Sequence, residues 1–200
     1  MKNSLIIVGF FVLGILAGIY SLLPEALLKN DLSAYALYVL MFLVGMGIGA
    51  DKKAWEVLKS ARLKIILVPL TVIIGTLIGV AFISIFLKDI SLRESLAVGA
   101  GFGYYSLSSI FISQIGGKTL GVVALISNIS REIITLLGTP LLLRYFGKLA
   151  PIASGGATSM DTTLPVITKF TGKEYAVISV FSGIVLTILV PFLVTFILKF

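Results

Sequence analysis

Two carboxylates lie within strongly apolar sequence, and they are the residues best suited to chemistry. Asp161 lies in the stretch ASGGATSMDTTLP (residues 153–165), and Glu132 lies in SNISREIIT (residues 127–135). An ionisable side chain at membrane depth costs about 3 kcal/mol or more, so it usually faces the interior of a bundle and has partners. A buried carboxylate binds a cation and a proton in competition, so that binding of one expels the other. The two carboxylates therefore predict a site that exchanges a cation for protons.

The neighbours of Glu132 are spaced along one helix. Asn128, Glu132 and Thr135 share a helical face, and Arg131 lies about 100° round the helix from Glu132. A guanidinium can pair with a carboxylate through two hydrogen bonds, so Arg131 is a candidate to hold a substrate carboxylate, while Asn128 is expected to line the cavity. The alternative is a packing network in which Arg131 and Glu132 neutralise groups on other helices.

A hydroxyl-rich stretch upstream, VGAGFGYYSLSSIFISQ (residues 98–114), is the second polar group. We predict that Tyr104, Tyr105 and Ser106 line the same cavity as Thr162, because non-helical backbone at membrane depth must be buried in protein or face water. Alternatively, these small residues do no more than hold helices together. Asp51, which follows three alternating glycines, lies either at the mouth of the cavity or simply at the water interface.

The elements that must position these residues are membrane helices. The chain has 200 residues, of which 58% are hydrophobic and 12% charged, and its mean hydropathy is +1.12. Apolar runs of about 20 residues recur along it, and each is long enough to cross a hydrocarbon layer about 30 Å thick as a helix. We predict an all-α, polytopic bundle forming one domain over residues 1–200. It would have about seven membrane segments, with discontinuous helices near 99–109 and 153–165. The expected crossings are 4–22, 32–50, 65–87, 95–115, 120–143, a broken segment around 153–165, and 175–200.

Charge and composition exclude several classes of protein. The net charge of +7 comes from bases in short loops, which is typical of a membrane protein and argues against binding to nucleic acid. The chain has no cysteine and no histidine, so no thiolate metal site, metal ion or cofactor is expected. There is no GxxxxGK[ST] loop for ATP, and no enzymatic activity is expected. The first 22 residues resemble a signal peptide, but their length and the missing cleavage site favour a retained helix.

The basic loops predict the orientation of the protein in the plasma membrane. The loop Asp51–Lys64 is the most basic and should face the cytoplasm, which also places the N-terminus in the cytoplasm and the C-terminus outside. With seven crossings, however, Arg144 and Lys148 fall outside, contrary to the usual distribution of positive charge. A re-entrant segment around Gly101 or Asp161 would change these later orientations.

Three blocks of the sequence resemble a known family. GAGFGYYSLSS (99–109), SNISREIITLLGTP (127–140) and GGATSMDTTLPVI (155–167), with FLVGMGIGAD (42–51), are similar to the lysine exporter family LysO. The resemblance implies export of L-lysine, and of analogues such as thialysine, by proton antiport. It also implies that Glu132 is essential and makes Asp51 a weaker candidate. Longer members of the family have an additional N-terminal portion. This chain would then act as a homo-oligomer or with a small membrane subunit that supplies the missing helices.

Two other functions fit the same residues. The carboxylates could serve a Na+/H+ antiporter or a cation channel, which a flux assay without lysine would reveal. The chain could also be a non-transporting membrane subunit, in which case the polar stretches should tolerate mutation.

Overall fold

The computed structural model describes residues 63–172 and 174–200, together with single positions at 13, 16, 17, 19, 20, 39, 42 and 46. Packing divides the chain into two units, Met1–Val39 and Leu40–Phe200, and the helices described in full belong to the second. The predicted spans 4–22 and 32–50 are described only at those single positions. Asp51 lies outside the described residues.

The described part of residues 63–200 is helical and has no strand. Its elements, in chain order, are α1 Leu63–Ser84, α2 Leu92–Gly99, α3 Tyr105–Gly116, α4 Lys118–Phe146, α5 Ala150–Gly155, a 3₁₀ helix Gly156–Met160, α6 Leu164–Thr171 and α7 Glu174–Lys199. Within these residues, three stretches are long and apolar enough to cross a membrane: Ile65–Ser84, Lys118–Phe146 and Tyr175–Lys199. The spans predicted at 65–87, 120–143 and 175–200 therefore form continuous helices. The total of about seven spans is not confirmed.

The other two predicted segments are broken into short helices. An eight-residue helix such as α2 rises only about 12 Å, which is less than half of a hydrocarbon layer about 30 Å thick. A capping box begins α2, in which the Ser91 hydroxyl bonds the Glu94 carboxylate at 2.7 Å and holds the pKa of Glu94 below its usual value. Helix α2 ends at Gly99, and the chain is not helical again until α3 begins at Tyr105.

Helix α4 runs antiparallel to α1. At the centre of both, Arg131 donates to the Thr76 hydroxyl at 3.4 Å. Three residues earlier on α4, Asn128 donates to the carbonyl of Val98, on α2. The last residue of α2 packs against Val80, which is four residues further along α1 than Thr76. The start of α4 and the end of α1 therefore lie at the same end of the bundle.

Helices α2 and α3 form a hairpin that enters from that end and returns to it (the first hairpin, residues 92–116). Gly121 lies seven residues before Asn128, about 10 Å nearer the start of α4. A Cβ on Gly121 would overlap the Ser113 hydroxyl, so α3 and α4 touch there. At its end, α3 meets α7, since a Cβ on Gly116 would lie 3.7 Å from Leu198. The segment predicted as one crossing, 95–115, is thus a hairpin, because α3 pairs with the first turns of α4.

Helices α5 and α6 form a second hairpin, residues 150–171, which enters from the opposite end. Its two arms share a cluster in which Ile152 and Ile167 pack with Val68, and Tyr175 and Ile178 pack against that cluster. Val68 is near the start of α1, and Tyr175 is near the start of α7. Both arms therefore meet at the end of the bundle where α1 and α7 begin.

Helix α7 holds the 3₁₀ helix of the second hairpin with a stripe of small residues. The hydroxyls of Ser159 and Ser179 each donate to the other's carbonyl, at 2.9 and 2.7 Å. One turn on, a Cβ on Gly183 would lie 2.6 Å from Met160, which shows how closely the two backbones approach. Small residues spaced by four allow such an approach between membrane helices.

The two hairpins change where the charged loops lie. The end at which α1 begins carries Arg144, Lys148 and Lys169. The other end carries a mixed set of charges: Lys88, Asp89, Arg93, Glu94, Lys118 and Lys199. Arg144 and Lys148 lie at the end of the bundle where α1 begins, whereas seven crossings would place them at the other end. The difference arises because the first hairpin leaves and returns at one end, so that α4 runs back to the end where α1 starts.

Candidate functional site

The tips of the two hairpins meet backbone to backbone at the centre of the bundle. The amide of Ala157 donates to the carbonyl of Phe102 at 2.8 Å. Gly156 has a φ of +60°, and a Cβ there would overlap that carbonyl oxygen. On the other tip, Gly103 has a φ of +92° and a Cβ would lie 3.0 Å from the carbonyl of Gly155. Glycine permits both the left-handed backbone and the close approach, so the two tips can cross.

Asn128 supplies the backbone partners that the first tip lacks. Its Oδ1 accepts from the amide of Gly103 at 2.7 Å, and its Nδ2 donates to the carbonyls of Val98 and Ala124 at 3.2 and 2.9 Å. The side chain is only 3% exposed. A buried backbone group without a partner is costly in a membrane, where no water is available. Asn128 therefore satisfies the amide of Gly103 in the break, and its side-chain amide is directed at backbone rather than at open space.

Arg131 is bound in the same way to the second tip. Its Nε donates to the carbonyl of Ser154 at 2.8 Å, and its Nη2 donates to the carbonyl of Ala153 at 2.9 Å. These carbonyls belong to the last turn of α5, where they lack helical partners and form the negative end of the helix dipole. Thr135 adds a contact to the same turn, since its hydroxyl lies 2.7 Å from that of Ser154. The charge of Arg131 is thus balanced by backbone dipoles.

The turn that carries Asp161 is organised by one carbonyl. The Thr158 oxygen accepts from the amides of Asp161 and Thr163 at 3.2 and 3.1 Å, and from the Thr163 hydroxyl at 3.0 Å. Pro165 then lies in the first turn of α6, where a missing amide does no harm. Asp161 is therefore held at the end of the 3₁₀ helix by a fixed turn.

Glu132 and Asp161 lie near each other, with Thr162 next to Asp161 in the chain. The Thr162 amide donates to Oδ1 of Asp161, and the Thr162 side chain lies near the carboxylate of Glu132. Glu132 is only 4% exposed, whereas Asp161 and Thr162 are exposed. The two carboxylates are close enough to interact electrostatically. The carboxylate of Glu132, on α4, is thus buried, whereas Asp161 is exposed at the end of the 3₁₀ helix.

The two tyrosines lie beside these carboxylates. Tyr104 precedes α3 and Tyr105 begins it, and both interact electrostatically with Asp161. Tyr105 also interacts with Glu132 and is 8% exposed. Ser106 follows in the first turn of α3 and is half-buried. The structure therefore gathers five of the predicted site residues around one place: Tyr104, Tyr105, Glu132, Asp161 and Thr162.

Sequence reasoning missed the residues that build the turn itself. The carbonyls of Phe102 and Thr158, and the side chains of Ser154 and Thr163, fix both tips in place. A carbonyl leaves no trace in a sequence. The hydroxyls had a weak signal, because Ser and Thr are dense around Asp161 and often bond local backbone where a helix ends.

The chemistry available here is cation binding. The described residues contain no cluster of side chains that could hold a metal ion. The two carboxylates, with the phenol hydroxyls and the threonine near them, can instead accept hydrogen bonds from an ammonium group. The same carboxylates can accept protons. A site of this kind can therefore hold either an organic cation or protons.

Comparison with known proteins finds one matching family and two relatives that are named as exporters. Residues 8–198 match the family model described as lysine exporter LysO. The chain is 33% identical over 196 residues to a protein named lysine exporter LysO from Escherichia coli, covering 97% of this chain and 64% of that protein. It is also 33% identical over 174 residues to a putative lysine exporter from Haemophilus influenzae, covering 86% of each. The chain thus spans less than two thirds of the Escherichia coli protein. No solved structure matches it.

Proposed function

Because the chain belongs to the lysine exporter LysO family, we propose that it is a secondary transporter that exports L-lysine from the cytoplasm in exchange for protons. Analogues such as thialysine, which keep both ammonium groups and the carboxylate, would be carried too. The observation that carries this proposal is that the buried carboxylate of Glu132 lies within electrostatic range of the exposed carboxylate of Asp161.

The exchange follows from competition for the two carboxylates. Lysine carries two ammonium groups, and Glu132 and Asp161 can each accept hydrogen bonds from one of them. Protonation of the carboxylates removes the charge that holds the substrate, so protons arriving from outside would release lysine there. Tyr104 and Tyr105 would line the path, and Ser106 lies next to them. In this scheme the transporter returns to the cytoplasm-facing state with its carboxylates protonated and no lysine bound.

The arrangement of the hairpins supports alternating access. Broken membrane helices whose tips meet near the midplane are the usual setting of a substrate site in secondary transporters. Here the first hairpin enters from the end that carries Lys88 and Lys118, and the second from the end that carries Arg144 and Lys169. The site between the tips would open towards one end at a time.

The charges indicate which end faces the cytoplasm. Arg144, Lys148 and Lys169 share an end with the start of α1, directly after the basic segment Asp51–Lys64 in the sequence. Basic residues concentrate on the cytoplasmic side of membrane proteins. We therefore place the start of α1 in the cytoplasm and the end of α7 outside. With spans at 4–22 and 32–50, the N-terminus is cytoplasmic as well.

Single cysteines test this orientation, since the native chain has none. A membrane-impermeant maleimide applied to intact cells is expected to label Lys118→Cys but not Arg144→Cys. After permeabilisation it should label both. If 95–115 crossed the membrane, the two results would be reversed. Lys88→Cys and Lys169→Cys serve as controls, because both topologies place them outside and inside respectively.

Lysine efflux from proteoliposomes tests the function itself. Vesicles loaded with labelled lysine are expected to lose it faster when the external pH is lower than the internal pH, and to show no acceleration by a Na+ gradient. Movement of Na+ in the absence of lysine would instead support the Na+/H+ antiporter. No flux under any gradient would indicate a non-transporting subunit. Restoration of flux by a second, different membrane protein in the same vesicles would then show that a small subunit is needed.

A further inference from the structure

We propose that Arg131 is a positioning residue, which holds the second hairpin on α4 and so places Asp161 opposite Glu132. This inference rests on the proposed function for its readout, and it assigns Arg131 a role different from binding the substrate carboxylate. A buried arginine can act in this way only if its charge is satisfied within the protein and if it connects α4 to the second hairpin. Both conditions are met.

The guanidinium is satisfied by three partners on two helices. Nε and Nη2 donate to the carbonyls of Ser154 and Ala153 at 2.8 and 2.9 Å, while Nη1 reaches the hydroxyl of Thr76 at 3.4 Å. The planar fork of an arginine suits two adjacent acceptors, whereas a lysine ammonium has no such fixed geometry. The two short bonds end on the last turn of α5, so they tie the second hairpin to α4.

The tie lies directly beside the site. Arg131 precedes Glu132 on α4, and the residues after Ser154 lead through the crossing at Gly156 to the turn that holds Asp161. A Cβ on Gly156 would lie 3.2 Å from Nη2, so the guanidinium also packs against the tip itself. Moving the hairpin away from α4 would therefore separate Asp161 and Thr162 from Glu132.

A covalent link can replace a positioning contact but cannot replace a charge. The hydroxyls of Thr135 and Ser154 lie 2.7 Å apart, one on α4 and one on α5. Two cysteines there can come within the roughly 2 Å of a disulfide after small rotations of the side chains. The cysteine-free chain makes this pair, Thr135→Cys with Ser154→Cys, free of competing thiols.

The test compares Arg131→Gln in the wild-type chain and in the cysteine pair, using pH-driven lysine efflux. Arg131→Gln alone is expected to lower the rate at least about tenfold, since a misplacement of about 1 Å can cost about a hundredfold. In the oxidised cysteine pair, Arg131→Gln should recover to within about threefold of the same pair with Arg131 intact. Reduction with dithiothreitol should remove the recovery. A disulfide that forms fully, by a maleimide mass shift, without restoring efflux would overturn the proposal.

Disulfide formation is a second readout. If the link forms with Arg131 present but not in Arg131→Gln, the hairpin has left α4 and the proposal is supported. Failure to form with Arg131 present would contradict the contact on which the proposal stands.

A competitor without a carboxylate separates the two roles of Arg131. The competitors are unlabelled lysine and 1,5-diaminopentane, and each is measured by how strongly it inhibits efflux of labelled lysine. If Arg131 only positions the hairpin, Arg131→Gln weakens inhibition by both compounds to the same extent. A selective loss for lysine would instead mean that Arg131 binds the substrate carboxylate, and would overturn the proposal. If the wild type moves a cation other than lysine, the proposed function fails, while the link and its rescue are still read with that cation.

Discussion

Replacing Glu132 by glutamine is expected to reduce pH-driven lysine export at least about thirtyfold. The change keeps the shape and removes both the negative charge and the group that exchanges protons. Because Glu132 is only 4% exposed, its charge acts in a low-dielectric setting, where loss of one partner of a charge pair costs about 2–5 kcal/mol, or roughly 30- to 4000-fold. The measurement is lysine efflux from proteoliposomes at several external pH values. The variant should also lose the dependence on the pH gradient.

Glu94→Gln is the matched control for this prediction. It makes the same chemical change at the start of α2, in a capping box that glutamine can also complete. Efflux should stay close to the wild-type rate. Normal, pH-dependent export by Glu132→Gln would mean that another group carries the proton, and Asp161 would be the next residue to replace.

Replacing Gly156 by alanine is expected to lower the free energy of unfolding more than any other glycine-to-alanine substitution in the described helices. The residue has a φ of +60°, which costs an alanine about 1–2 kcal/mol, and the new Cβ would overlap the Phe102 carbonyl oxygen. Overpacking adds about 1–3 kcal/mol, so the total is about 2–5 kcal/mol. Thermal unfolding of the purified protein in detergent should show the loss as a lower melting temperature, together with a lower yield from membranes.

Gly138→Ala provides the comparison for Gly156→Ala. Gly138 lies within α4, and a Cβ there would meet nothing within 4 Å. Alanine in a helix interior is better than glycine by about 0.5–1 kcal/mol, so this variant should be as stable as the wild type or slightly more stable. Equal melting temperatures for the two variants would show that the tips do not cross as closely as described.

The sequence was informative about which segments are helical and where helices break. Apolar length predicted α1, α4 and α7, and the glycines near 101 and 156 predicted the interruptions. It could not show whether a broken segment crosses the membrane or turns back. That depends on where α3 packs, and the contact between Ser113 and Gly121 involves two small residues with no distinctive pattern. Whether residues 95–115 cross or turn back determines the end of the bundle at which each later helix begins.

The candidate site was predictable in its charges and less so in its supports. Glu132 and Asp161 stood out because a carboxylate in apolar sequence is costly. Asn128 and Arg131 stood out as polar residues near Glu132 on the same helix, yet the structure directs both at the backbone of the hairpin tips. Sequence alone cannot distinguish a polar side chain that meets a ligand from one that meets the backbone, because the partner has no side-chain identity.

The crossing of the two tips has a consequence for how the molecule is built. The bonded residues Phe102 and Ala157 occupy like places in two halves, α1 with the first hairpin and α4 with the second, which have the same order of elements and opposite directions. Halves related in this way form a pseudo-symmetric pair about an axis in the membrane plane. Exchanging the conformations of the halves turns a pathway open on one side into one open on the other. Because similar contacts would be lost and gained, the two conformations would differ by only a few kcal/mol, so that under the proposed exchange a modest proton gradient would shift the balance between them.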